Sequence, residues 1–185
     1  MRSLWLLSYG LLAAGCVSSH PDRFYALDAA RTEQLPARSK FAMQVNLRVS
    51  LPLIVDRNEI VLSSPNGVII LEHERWAAPL SEQFNSVLGQ DIEARRQGVL
   101  IASRSIAEPE GPMTSIAVDV VQLSLQKAVG AKVEVRWRVQ RGSDVTQGRE
   151  IFASATSGEG YGGLVQSLDS CIGSLADRLV AQLPP

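Results

Sequence analysis

Residues Ile116 to Val139 constrain this chain most. Val133, Val135, Trp137 and Val139 alternate with Glu134, Arg136, Arg138 and Gln140. Successive side chains of a strand point to opposite faces, so this pattern predicts a strand with one buried and one wet face. Upstream, Ile116, Val118 and Val120 alternate as well, and the phase then slips to Val121, Leu123 and Leu125. A one-residue slip predicts a β-bulge, because without it the second set would turn toward water. Gly130 marks the turn between these two strands. Gly142 to Gly148 reads as a second turn. Glu150 to Ser157 reads as a third strand, with Ile151 facing inward. Three such strands form an antiparallel meander.

Two stretches switch to helical spacing. Leu80, Phe84, Val87, Leu88 and Ile92 recur every three to four residues behind Pro79, which suits a first helical turn. Arg95 and Arg96 complement the dipole at the far end, and Gly98 stops the helix. Leu164, Leu168, Cys171, Ile172, Leu175, Leu179 and Leu183 make a second apolar stripe that runs almost to the end of the chain. The glycines between Gly158 and Gly163 lack the lysine and spacing of a phosphate-binding loop, so they read as a connector.

Shorter signals fill the rest. Phe24 to Leu27 reads as a first strand and Asp28 to Lys40 as a loop. Met43 to Leu51 alternates with Gln44, Asn46, Arg48 and Ser50 on the polar side. Pro52 ends that strand. An irregular corner at Asp56 to Glu59 leads to a strand over Ile60 to Ser63, and Pro65-Asn66-Gly67 turns it into a hairpin with Val68 to Glu72. Val99 to Ala102 is a short strand, and Glu108 to Pro112 a loop. Strands, helix, strands, helix predict an α/β fold: a two-layer or three-layer sandwich with a mixed, largely antiparallel sheet and two long helices.

The first residues, MRSLWLLSYGLLAAGC, are of another kind. Arg2 is charged, Leu4 to Leu12 is mostly apolar, Ala13 to Gly15 are small, and Cys16 follows at once. The apolar run is shorter than the ~20 residues that span a bilayer. It reads as a secretory signal peptide whose cleavage-point cysteine is a bacterial lipidation site. The expected division is a signal peptide at 1–15, a lipidated tether at 16–23 and a single domain at 24–185. Val17 stands where enterobacterial lipoproteins retained in the inner membrane carry Asp, so resemblance to those signals implies the outer membrane. The full chain carries a net charge of -1, and processing removes Arg2. No basic excess invites nucleic acid.

Little suggests catalysis. The two histidines are His20, in the tether, and His73, between Glu72 and Glu74. Alternation turns His73 away from both glutamates, so neither a metal site nor a catalytic triad assembles from sequence, and no cofactor is expected. Cys171 is expected to be a buried thiol. Two surfaces stand out. Glu134, Arg136 and Arg138 form either a binding face or an ordinary solvated strand face. Trp76, beside Arg75, either anchors a partner or staples the start of the first helix to the core.

Phe24-Tyr25-Ala26-Leu27 behind the cysteine, LPLIVDRNEIVL from Leu51 to Leu62, ERWAAPL from Glu74 to Leu80 and the Leu-rich last helix resemble, in that order, the PqiC/YmbA-like lipoproteins. Asp56-Arg57 and Arg75-Trp76-Ala77-x-Pro79-Leu80 carry most of the likeness. Asn58 stands where many members have Pro. The resemblance implies a compact α/β sandwich without catalytic activity. It would serve an ABC-type, mammalian-cell-entry (MCE) transport system moving phospholipid or other hydrophobic cargo across the envelope. It further implies attachment to the inner leaflet of the outer membrane, a periplasmic MCE-domain partner and self-association. Asp56, Arg57, Arg75, Trp76, Arg136 and Arg138 become candidates for those contacts, and Cys16 for lipidation. A structural lipoprotein of an unrelated outer-membrane machine is the competing expectation, and a periplasmic hydrolase a distant third.

Overall fold

The computed structural model describes residues 21–29, 43–102, 113–156, 158 and 160–183. Cys16, the signal peptide, most of the tether, most of the Asp28 to Lys40 loop and the Glu108 to Pro112 loop lie outside the described residues. Eight strands and two helices follow in the order β1 (Arg23–Tyr25), β2 (Met43–Ser50), β3 (Glu59–Ser64), β4 (Gly67–Trp76), α1 (Leu80–Arg95), β5 (Val99–Ile101), β6 (Thr114–Gln126), β7 (Gly130–Arg141), β8 (Asp144–Ala155) and α2 (Gly160–Val180).

The α/β class holds, but the strands divide into two sheets. The larger has the order β5-β2-β6-β7-β8 and the smaller β1-β4-β3. In the larger sheet β2 runs parallel to both β5 and β6, while β6, β7 and β8 form the antiparallel meander. In the smaller, β4 pairs antiparallel with β3 and, over three residues, parallel with β1. The chain leaves the larger sheet at Pro52, which has no N–H for a ladder, and Val55 and Asp56 both donate back to the Pro52 carbonyl.

Both helices cover one face of the larger sheet. All five stripe residues of α1 are buried, as are all seven of the closing stripe, including Leu183 beyond the end of α2. They meet Val45 and Leu47 of β2, Ile116 and Val118 of β6, and Val133, Val135, Trp137 and Val139 of β7 in one core. Burying a core leucine contributes roughly 1.5–3 kcal/mol, so these stripes supply much of the drive to fold. Gly89 lets α1 lie close to the sheet: a side chain there would meet Ile101 at 3.4 Å and Leu47 at 3.6 Å. The opposite face of the larger sheet remains uncovered among the described residues, with Arg48, Ala117, Arg136 and Arg138 all exposed.

Several expectations need correction. The bulge is present, between Val120 and Gln122. Val121 itself, however, faces outward at 37% exposure, and burial resumes at Leu123. The unpaired residue of a bulge absorbs the slip instead of joining the inward set. The second turn is only Gly142-Ser143, and β8 already starts at Asp144. Ile151 is 55% exposed and opposes Glu134 on the uncovered face, whereas Phe152 packs against the core. A strand in register with β7 from end to end leaves no freedom in facing. The last helix starts at Gly160, not Leu164, so most of the expected connector is helix. Finally, the first strand runs Arg23–Tyr25 and not Phe24 to Leu27, and Asp22 pairs with Arg75 at 3.1 Å.

Candidate functional site

The residues of the Asp56 and Arg75 motifs meet in one corner. The corner forms where the Asp56–Asn58 bend runs beside the end of β4: the Trp76 amide donates to the Asn58 carbonyl at 2.7 Å, and the Ala77 amide to Tyr25 at 2.8 Å. Asp56 Oδ1 accepts the Ser81 amide at 3.0 Å, capping α1 from outside the helix. Arg57 Nε donates to Glu59 Oε2 at 2.8 Å, and Arg75 reaches both Asp22 and Glu59. The Arg57 hydrogen bond leads in holding the Glu59 carboxyl below the usual range. Trp76 is 3% exposed and belongs to the core. Its burial matches the stapling role rather than that of an exposed anchor. The structure thus joins Asp56, Arg57, Arg75 and Trp76, and each of them also holds the corner together.

Arg136 and Arg138 lie elsewhere, on the uncovered face of the larger sheet. A groove of ≈ 760 Å³ runs over this face, lined by Arg48, Ala117, Asp119, Arg136, Arg138 and Arg149 among others. The ladder register sets its pattern. Arg48, Ala117, Arg138 and Gln147 form one row across four strands, and Ser50, Asp119, Arg136 and Arg149 another. In the second row the charges are spoken for. Ser50 Oγ donates to Asp119 Oδ1 at 3.0 Å, Arg136 Nε donates to Oδ2 at 3.1 Å, and Arg149 Nε donates to Glu134 Oε1 at 2.6 Å. The Arg136 bond leads in lowering the Asp119 carboxyl below its ordinary range, against the effect of burial. In the first row, the one hydrogen-bond partner of the Arg138 side chain among the described residues is Gln140 Oε1, at 3.4 Å. Arg48 was legible as an outward residue of β2, but Arg149 lay at the edge of the supposed turn. Only the continuous register of β8 brings it to the groove.

A third surface is the β3–β4 hairpin, where Val68, Ile69 and Ile70 are 49%, 52% and 40% exposed. β3 covers one edge of β4. β1 pairs on the other edge with Glu74, Arg75 and Trp76 alone, so among the described residues no strand covers Gly67 to Glu72 on that side. Ile69 also lines a groove of ≈ 460 Å³ with Tyr161 and Lys127, whose ammonium lies 5.3 Å from the tyrosine ring centre. Sequence reading found the hairpin but not its exposure, since apolar residues on a strand are the usual mark of a core face.

A polar cleft separates the ends of the two helices. Arg95 links Asp91, at 2.8 Å, to Asp177, at 2.7 Å. A side chain at Gly173 would meet Arg95 at 3.0 Å, so this glycine makes room for the guanidinium. Nearby, Asp169 accepts the Asp28 amide at 3.2 Å. Burial, with the charges of Asp28 and Asp91, outweighs that bond and pushes its carboxyl up to about 7. Cys171 is buried, with its thiol 3.6 Å from the Ala131 carbonyl, and burial raises it to about 11, which leaves it a poor nucleophile. His73 meets Asp22 at 3.0 Å. Among the described residues no three His, Cys, Asp or Glu side chains converge as a metal site.

Comparison with known proteins places this geometry. The model of the family described as the ABC-type transport auxiliary lipoprotein component matches residues 25–180. The chain belongs to this family. The auxiliary-lipoprotein match spans both sheets and both helices, and with them the Asp56 and Arg75 corner. Solved structures agree on the fold. The crystal structure of an uncharacterized protein superposes with a TM-score of 0.74 at 15% identity, covering 89% of this chain and 100% of the other. A Xanthomonas campestris protein of the DUF330 family gives 0.64 at 17% identity, covering 85% and 92%. No curated protein matches the chain. No helix among the described residues is long and apolar enough to cross a membrane.

Proposed function

We propose that this auxiliary lipoprotein is a non-catalytic docking subunit of an MCE-type transport system. It is held by Cys16 on the inner leaflet of the outer membrane, facing the periplasm. There it receives the far end of a conduit for phospholipid or related hydrophobic cargo. The observation that carries the reading is the family match over residues 25–180. The geometry adds a reason to expect protein contacts. Native proteins rarely leave a long apolar strand edge open, because unpaired N–H and C=O groups recruit other strands. β4 offers such an edge with Val68, Ile69 and Ile70 upon it. A partner strand, from an MCE-domain protein or a second copy of the chain, would complete the ladder.

The test is recovery of the lipidated protein from membranes under conditions that preserve complexes. An MCE-domain protein should co-purify, and Ile69→Lys should reduce its recovery. Failure to recover any such protein would sink the assignment. A Cys16→Ser form, exported by another signal, should fold yet leave the membrane fraction, because three acyl chains at ~0.8 kcal/mol per buried CH₂ supply the anchorage.

A further inference from the structure

We infer that the uncovered face of the larger sheet is a binding site for the phosphate of an anionic phospholipid headgroup, centred on Arg48 and Arg138 either side of Ala117. The choice of a lipid over a soluble phosphate rests on the transport reading; the anion site itself rests on the sheet.

Arg48 and Arg138 share one row of the ladder with Ala117 between them. Two strand spacings put their backbones roughly 10 Å apart. Both are exposed on the same face, and Ala117 contributes only a methyl group, so the space between the two guanidinium stems stays open. Neither arginine pairs with a carboxylate among the described residues, and the one acid lining the groove, Asp119, is engaged by Ser50 and Arg136. Glu134 is likewise taken by Arg149. Among the described residues the lining therefore holds Arg48, Arg136, Arg138 and Arg149 against Asp119, in a chain whose net charge is only -1.

Guanidinium forks match phosphate oxygens in paired hydrogen bonds, which makes two facing arginines a better fit for a phosphodiester than for a single carboxylate. The groove, at ≈ 760 Å³, is in the range of small-molecule sites. Val145 and Ile151, on the same face of β8, are 43% and 55% exposed. By register they lie two positions along β8 from Gln147 and Arg149, apolar surface beyond the rim of the groove, as an acyl-bearing anion requires and a free phosphate does not.

The test uses the mature chain with Cys16→Ser, titrated calorimetrically with short-chain phosphatidylglycerol, short-chain phosphatidylcholine and inorganic phosphate. Phosphatidylglycerol should bind best. The Arg48→Gln/Arg138→Gln double variant should lose roughly tenfold or more in affinity, the scale of charge-assisted hydrogen bonds. Arg23→Gln/Lys127→Gln, which removes the same charge elsewhere, should bind as the parent does. Circular dichroism should show all forms folded: Arg48 and Arg138 pair with no carboxylate among the described residues, and in the control Glu74, which loses Arg23, keeps the Tyr25 hydroxyl at 2.6 Å. Unchanged affinity in that variant, or phosphate binding as tight as lipid, would overturn the inference. So would a double variant that keeps lipid but loses a co-purifying protein, which would make the face a protein-docking surface. Recovery of an MCE-domain protein is read separately: its persistence without lipid binding would defeat this inference and leave the transport reading standing.

Discussion

Asp56 caps a helix to which it does not belong. Its Oδ1 accepts the Ser81 amide at 3.0 Å, across a gap of 25 positions in sequence. Pro79, at the N-cap position, makes no side-chain cap hydrogen bond, so Asp56 supplies the missing acceptor and a negative charge at the positive end of α1. Asp56→Ala should cost about 1 kcal/mol in urea unfolding, the scale of a lost cap. Asp56→Asn, which keeps the oxygen, should recover most of that. Equal losses in both variants would exclude the capping role.

Trp137 and Gly148 are partners across β7 and β8, and the indole lies over the glycine. A side chain at 148 would come within 2.6 Å of the ring. Trp137 Nε1 also donates to Glu150 at 3.2 Å, and Glu150 accepts Arg178 of α2 at 2.8 Å, so the ring is fixed from two sides. Gly148→Val should therefore destabilise the protein by about 1–3 kcal/mol, as overpacking does. A shift in tryptophan emission should accompany it, and a variant as stable as the parent would refute the packing argument.

Asp169 predicts an unusual dependence on pH. Its carboxyl rises from 3.8 to about 7 on folding, so between these values the folded state holds a proton that the unfolded state has lost. Stability should consequently fall as pH rises through this window. Glu59 and Asp119, whose folded values are lowered from 4.5 and 3.8, act in the opposite direction and at the acidic end only. Asp169→Asn retains an oxygen for the Asp28 amide and removes the titration. Its melting temperature should exceed that of the parent above pH 7 and change less between 5 and 7, in a scan whose range follows from the 3.8-to-7 shift. Parallel curves for the two proteins would contradict the assignment.

Cys171 should be silent to thiol reagents. In a Cys16→Ser background it is the remaining cysteine of the two in the chain. At 2% exposure, and with its ionisation pushed up to about 11, it presents neither access nor thiolate. Labelling by a disulfide reagent at neutral pH should occur only after denaturation. Reaction of the native protein at the rate of a free thiol would show that α2 opens from the sheet.

The sequence by itself determined the elements that carry a long, consistent period. The stripes of α1 and α2 and the inward set of β7 are legible because one-sided burial imposes a fixed repeat on each element. The Pro65-Asn66-Gly67 turn is legible too, since turn chemistry is local. The order of motifs from Phe24 onward likewise pointed to the family. Tertiary structure alone decided the rest. Ile151 is apolar and reads as inward; the β7 register turned it outward. Trp76 reads equally as anchor or staple until its burial is known. The same holds for the grooves. Arg48, Ala117, Arg138 and Gln147 are scattered along the chain and become one row only when four strands align. Asp56 becomes a cap only when the corner folds over α1. A side chain's spacing records what its own element buries, whereas its neighbours on other strands are fixed by pairing, which leaves no periodic trace in the chain.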